Sequence, residues 1–185
     1  YKRIKDMRIA IVGASGAVGQ ELLRILDQRN FPLDDLVLFG SKRSAGRSYT
    51  FKGKEYRVKE LCHNDDFKDV DIVFTSAGAG TSKEFASDIT KFGAVMIDNS
   101  SAFRMDPDVP LVIPEINPED AKKHKGIIAN PNGTTIVSLV AINALNQDSP
   151  FESIVASSYQ ATSGAGAGGP IELMNEVEAL REGRT

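Results

Sequence analysis

Met7 to Val12 runs directly into a turn of three evenly spaced glycines, and this junction constrains the fold more than any other part of the chain. Met7-Arg8-Ile9-Ala10-Ile11-Val12 is rich in β-branched and apolar residues, the pattern of a strand buried on both faces of a parallel sheet. Gly13-Ala14-Ser15-Gly16-Ala17-Val18-Gly19 follows at once. From Gln20 to Gln28, Leu22, Leu23, Ile25 and Leu26 recur at helical spacing. A strand, a glycine turn and a helix in immediate succession predict the opening unit of an α/β fold.

Glycine in such a turn permits positive φ and lets a phosphate approach the backbone. The helix start then offers unpaired N–H groups and the favourable end of its dipole to a pyrophosphate. The spacing is G-x-x-G-x-x-G, unlike the G-x-G-x-x-G of most dinucleotide sites. A plain tight turn is the competing reading. With a strand before it and an amphipathic helix after it, nucleotide binding is the better one, with Gly13, Ser15, Gly16, Ala17 and Val18 as cofactor contacts.

The second strand, Leu36-Val37-Leu38-Phe39, bears on which dinucleotide. NAD sites place Asp or Glu about 20 residues beyond the glycines to bind the ribose 2′-hydroxyl. Here the strand leads into Gly40-Ser41-Lys42-Arg43-Ser44-Ala45-Gly46-Arg47. Hydroxyl and cationic groups suit a 2′-phosphate. NADP is the expected cofactor, held by Ser41, Arg43 and Ser44, with Lys42 a weaker candidate; a solvated basic loop is the alternative.

Further along, Tyr49 to Val58 reads as a hairpin around Lys52-Gly53-Lys54. Asp71 to Thr75, Ala94 to Asp98 and Gly126 to Asn130 read as buried strands. A helix is expected from Thr81 to Lys91. Pro107, Pro110, Pro114 and Pro118 break the stretch between, with Val109 to Ile113 a possible short strand. Past Pro131 the character changes: a helix from Thr134 to Leu145, alternation over Phe151 to Gln160 as in a half-exposed strand, a glycine-rich loop, and a helix from Ile171 to Arg181. This implies a Rossmann-like parallel sheet with helices on both faces over residues 1–132. Residues 133–185 would begin an α+β substrate and dimerisation domain. Apolar surface on Val155, Tyr159 and the last helix is expected to lie uncovered and to seek a partner.

Of the 185 residues, 41% are hydrophobic and 25% charged, ordinary for a globular protein. A net charge of −3 gives no support to nucleic-acid binding. No apolar run approaches the roughly 18–20 residues of a membrane span, and no signal-peptide pattern opens the chain. Cys62 is the only cysteine, so no internal disulfide is possible and a cytoplasmic location is the expectation. His63 and His124 stand among charged residues, read as solvated, and form no metal-ligand cluster.

Five segments then agree in order: Gly13 to Gly19; Ser44-Ala45-Gly46; Asp98-Asn99-Ser100-Ser101-Ala102-Phe103-Arg104; Asn130-Pro131-Asn132 with Thr134-Thr135; and Tyr159-Gln160-Ala161-Thr162-Ser163-Gly164-Ala165-Gly166. Together they resemble the aspartate-semialdehyde dehydrogenases, over what would be the first half of a family member. The resemblance implies an NADP-dependent oxidoreductase that converts L-aspartate 4-semialdehyde and phosphate to L-4-aspartyl phosphate, in the biosynthesis of lysine, threonine, methionine and diaminopimelate. It implies a homodimer or homotetramer. It also implies Gln160 as a catalytic residue orienting substrate, Arg104, Asn132 and Ser163 as substrate or phosphate contacts, and Gly164 beside the nicotinamide. The family's later substrate Arg and catalytic His would lie beyond Thr185.

One position departs from the family. Its nucleophilic cysteine falls where this chain has Gly133. A cysteine at a helix start has a stabilised thiolate, and backbone N–H groups there can hold an oxyanion. Gly133 keeps the turn and lacks the thiol. Cys62 lies well away in sequence and reads as a structural or surface thiol. Two accounts follow: an ordinary enzyme seen as a fragment, its second half missing and its glycine an engineered or misread cysteine, or a catalytically silent NADP-binding paralogue acting as a binding or regulatory partner. A third, an N-acetyl-glutamyl-phosphate reductase, fits the turn at Asn130 to Thr135 less well.

Overall fold

The computed structural model describes residues 7–166 and 168–184. Two compact units divide after Val140.

The first unit is built on a sheet ordered β3-β4-β2-β1-β5-β6-β7. The strands are β1 (Arg8–Val12), β2 (Asp35–Gly40), β3 (Ser48–Phe51), β4 (Lys54–Glu60), β5 (Ile72–Thr75), β6 (Val95–Asp98) and β7 (Ile127–Ala129). All neighbouring pairs are parallel except the β3–β4 hairpin. Helix α1 (Ala17–Gln28) joins β1 to β2, and α2 (Ala79–Thr90) joins β5 to β6.

Successive side chains of the central strands enter two separate cores, as the twofold period of a strand requires. Ala10, Val12, Val37, Phe39, Val73 and Met96 pack with Phe85 and Ile89 of α2 and with Phe67. Ile9, Ile11, Leu36 and Leu38 pack with Leu23 and Leu26 of α1. A sheet covered by a helix on each face is the Rossmann-like arrangement that the apolar runs implied. Helix α1 begins at Ala17, three residues before its apolar repeat, because the glycine turn winds directly into it.

Val109 to Ile113 does not become a strand. Only an isolated parallel bridge forms, Leu111 to Ala129. Pro110 and Pro114 flank it, and a residue without an N–H cannot extend a ladder. Pro118–Lys123 instead forms a 3-10 helix.

Helix α3 (Gly133–Asp148) runs past the division, so the second unit holds its C-terminal end, a 3-10 turn at Thr162–Ala165, and α4 (Gly168–Arg181). The alternation over Phe151 to Gln160 does not produce a strand: the stretch is irregular and exposed throughout. A strand needs a neighbouring ladder to satisfy its backbone, and none pairs with this stretch among the described residues. Val155 and Tyr159 are 98% and 99% exposed, as expected of an uncovered surface. The contact assigned to Gly164 falls in the 3-10 turn, and the last helix starts three residues before Ile171. No helix is long and apolar enough to cross a membrane among the described residues.

Candidate active site

Because β1, β2, β4, β5, β6 and β7 run parallel, their C-terminal ends share one edge of the sheet. The chain order reverses between β1 and β5, where open α/β sheets bind ligands. The glycine turn lies at that point. Gly13 has φ +89°, and a Cβ there would sit 2.8 Å from the carbonyl carbon of Ser76 at the end of β5. Gly19 packs against the turn itself, with a Cβ position 2.7 Å from Ala14 Cα. These two glycines bring strand, turn and helix together. Gly16, Ala17 and Val18 are the exposed members. The Gly16 N–H donates to the Gly13 carbonyl at 3.0 Å, while at Ala17 and Val18, the first residues of α1, helical N–H groups lack intrahelical acceptors. Ser15 Oγ is shielded from solvent and has no hydrogen-bond partner among the described residues. An orphaned hydroxyl beside a free helix start fits a phosphate oxygen.

At the end of β2, Ser41, Lys42 and Arg43 are exposed, whereas Ser44 is 8% exposed. Its hydroxyl donates to the Ser41 carbonyl at 3.0 Å, and its N–H donates to the same oxygen at 2.9 Å.

The ends of β6 and β7 build a second cluster. Asn130 Nδ2 donates to Asn99 Oδ1 at 2.7 Å. Arg104 Nε donates to the Asn130 carbonyl at 2.8 Å, and its Nη2 to the Asn99 carbonyl at 3.0 Å. The half-buried guanidinium is thus held by two main-chain carbonyls. No carboxylate pairs with it among the described residues, so its charge is available to an anion.

Below this cluster lies a residue that the motif includes but to which the sequence assigned no role. Asp98, wholly buried, accepts from Thr75 Oγ1 and Ser82 Oγ at 2.7 Å each, and from Ser100 Oγ at 2.7 Å. Ser100 Oγ in turn accepts from the Ala102 N–H at 3.1 Å. The carboxylate therefore ties β5, α2 and the loop that carries Arg104. A buried acid ending a strand is the one sequence signal that could have marked it.

Asn132 Oδ1 accepts from the N–H groups of Thr134 at 3.0 Å and Thr135 at 3.4 Å. It is the N-cap of α3, so the helix opens at Gly133 itself. Gly133 is exposed, and a Cβ built there meets no atom within 4 Å. The glycine is not demanded by the backbone or by crowding.

In the second unit, Gln160 and Gly164 lie together. A Cβ on Gly164 would come within 2.7 Å of Gln160 Cδ, so the missing side chain makes room for the amide. Ser163 stands in the same exposed 3-10 turn.

His63 is exposed, as the solvated reading has it, whereas His124 is only partly exposed. His124 Nδ1 accepts the Gly126 N–H at 3.0 Å and shapes the approach to β7. His63 is exposed but sits 2.6 Å from Asp88 Oδ2 and stacks on Phe85 at 4.4 Å. That hydrogen bond raises its pKa above the ordinary value. Cys62 is exposed.

Residues 8–124 match the family model described as semialdehyde dehydrogenase, NAD binding domain. The chain belongs to the semialdehyde dehydrogenase family. The resemblance to aspartate-semialdehyde dehydrogenases is borne out by curated relatives of that name. The Aquifex aeolicus protein is 55% identical over 179 residues, covering 96% of this chain and 53% of the relative. The Synechocystis protein is 53% identical over 178 residues, covering 96% and 52%. The crystal structure of aspartate semialdehyde dehydrogenase II from Vibrio cholerae superposes with a TM-score of 0.88 at 42% identity, covering 98% of this chain and 54% of that one. The chain spans about half the length of the curated semialdehyde dehydrogenases it matches.

Proposed function

We propose that this chain carries the NADP site and part of the substrate site of an aspartate-semialdehyde dehydrogenase, acting on L-aspartate 4-semialdehyde and phosphate. The observation that supports it most is the carbonyl-held, carboxylate-free Arg104 beside the capped start of α3, on the sheet edge that also bears the glycine turn. Residues 1–132 act as the nucleotide-binding part, and 133–185 begin the catalytic and dimerisation part of a cytoplasmic homodimer or homotetramer.

NADP supplies a hydride acceptor when bound. The chain's own groups bind and orient. Ser15 and the N–H groups of Ala17 and Val18 would hold the pyrophosphate, with Gly16 closing the turn through its N–H to the Gly13 carbonyl at 3.0 Å. Ser41 and Arg43 meet the 2′-phosphate with charge-assisted hydrogen bonds. Arg104 would hold an anionic group of the substrate or the phosphate; in the second unit, Gln160 and Ser163 are the residues that would orient the substrate, and Gly164 the one that would serve the nicotinamide.

The thioester step needs a thiolate on the aldehyde carbon. Gly133 offers none, so the chain with glycine at this position holds cofactor and substrate without forming the acyl-enzyme. That residue also favours the second reading, an NADP-binding paralogue that acts through a partner.

Titration of the purified chain with NADPH and NADH, followed by nicotinamide fluorescence, tests the cofactor. Tighter binding of NADPH is expected; equal affinity for both would remove the NADP reading. Phosphate-dependent reduction of NADP by the Gly133 chain with aspartate semialdehyde would refute catalytic silence.

A further inference from the structure

The last residue of β2 is the place where NAD-selective sheets carry their ribose-binding carboxylate. Here it is Gly40, and the space beside it is filled. A Cβ on Gly40 would collide with Ser44 Oγ and lie 3.1 Å from Val58 Cγ1. The crowding is fixed by the turn that follows. Ser44 and Ala45 both donate their N–H groups to the Ser41 carbonyl, at 2.9 and 3.0 Å, and Gly46 N–H donates to the Val58 carbonyl at 2.8 Å. On the other side, Leu61 N–H donates to the Gly40 carbonyl at 2.9 Å. Gly40 is held between β4 and a turn folded back on it, with a serine hydroxyl where its own side chain would begin.

We propose that Gly40 and Ser44 form a steric interlock that determines cofactor choice, an inference that rests on the NADP reading above. Ser44 serves as the filler of the interlock rather than as a phosphate ligand. Its hydroxyl is already donated to Ser41 O, and the residue is buried. With Ser44 Oγ and Val58 Cγ1 in the space a Cβ would need, a side chain at position 40 has to displace the Ser44 hydroxyl from its bond to Ser41 O before a carboxylate can reach the ribose from the strand end. The same turn leaves Ser41, Lys42 and Arg43 exposed, the groups that favour a 2′-phosphate. Selectivity then has two parts: cations that attract the phosphate, and a filled space that excludes the acid suited to a free 2′-hydroxyl.

The test compares the full chain with Gly40→Asp/Ser44→Ala, in which the colliding Oγ is gone, Ser44 Cβ lies at an ordinary 3.5 Å from the new Cβ, and Val58 Cγ1, at 3.1 Å, has only a few tenths of an ångström to give. NADPH and NADH dissociation constants are measured for both proteins. The expected result is a shift of the affinity ratio toward NADH of at least about tenfold. A folded double variant that keeps the parent's ratio overturns the interlock as the determinant. A parent chain that binds NADPH no tighter than NADH overturns the NADP reading instead. A cofactor-free cycle covers a double variant that does not fold. Gly40→Ala should lower the melting temperature in the parent and lower it much less in the Ser44→Ala background. Equal effects in both backgrounds overturn the interlock whatever the cofactor does.

Discussion

Thr75 and Asp98 face each other across the β5–β6 register, and the threonine hydroxyl donates to Asp98 Oδ1 at 2.7 Å. The same oxygen accepts from Ser82 in the first turn of α2, so one buried carboxylate joins two strands and a helix. Asp98→Ala would leave three hydroxyl donors without their acceptor. Each unpaired buried polar group costs about 1–3 kcal/mol. The expected loss is about 2–4 kcal/mol in urea denaturation, with the milder Asp98→Asn falling between. An alanine variant as stable as the parent would remove Asp98 as the organiser of this edge.

Gly133→Cys should fold without penalty, since nothing lies within 4 Å of the new Cβ. In a Cys62→Ser background, its stability should match the parent to within about 1 kcal/mol. At the capped start of α3, the thiol should titrate below the free value of about 8.5. The pH dependence of alkylation reads this directly; an unshifted thiol would mean the helix start does not stabilise the anion.

Arg43→Ala should weaken NADPH binding by about 1.5–3 kcal/mol, the worth of a charged hydrogen bond, and leave NADH unchanged. An equal loss for both cofactors would place Arg43 elsewhere than at the 2′-phosphate.

The His63–Asp88 contact makes a pH-dependent tie between the β4–β5 connection and α2. Its hydrogen bond with Asp88 raises His63 above 6.5, and the same bond lowers Asp88 below 3.8. The histidine contribution is fully present below 6.5 and is lost as pH rises through the higher folded value. The aspartate contribution is present above 3.8 and is lost as pH falls through the lower folded value. Both hold in the window between. The urea midpoint of the parent should therefore decline from about pH 5 to 8 relative to His63→Gln; parallel profiles would show that the pair is not coupled to folding.

The strand–turn–helix unit was legible from residues alone because its signals are local. A β-branched run, glycines and a helical apolar repeat specify their own geometry whatever lies around them. The family was legible for a related reason, since its motifs are short contiguous segments. Where structure depends on a neighbour, the residues were not enough. Phe151 to Gln160 alternates like a strand and is not one without an adjoining ladder. Leu111 forms a lone bridge between two prolines. His124 is a backbone acceptor, and Asn132 caps α3 through its Oδ1, a role its motif did not announce.

The sequence by itself determined the order of elements, the alternation that splits the core into two faces, and the absence of a thiol at position 133. Only the tertiary structure decided what meets at the strand ends. Asp98 gathers Thr75, Ser82 and Ser100, Asn99 and Asn130 hold Arg104, and Ser44 fills the space beside Gly40. Apart from Ser100, two residues from Asp98, these partners are separated in sequence by between 4 and 31 residues. Local propensity carries no information about such pairs. They are selected by the parallel register and by the requirement that every buried polar group find a partner.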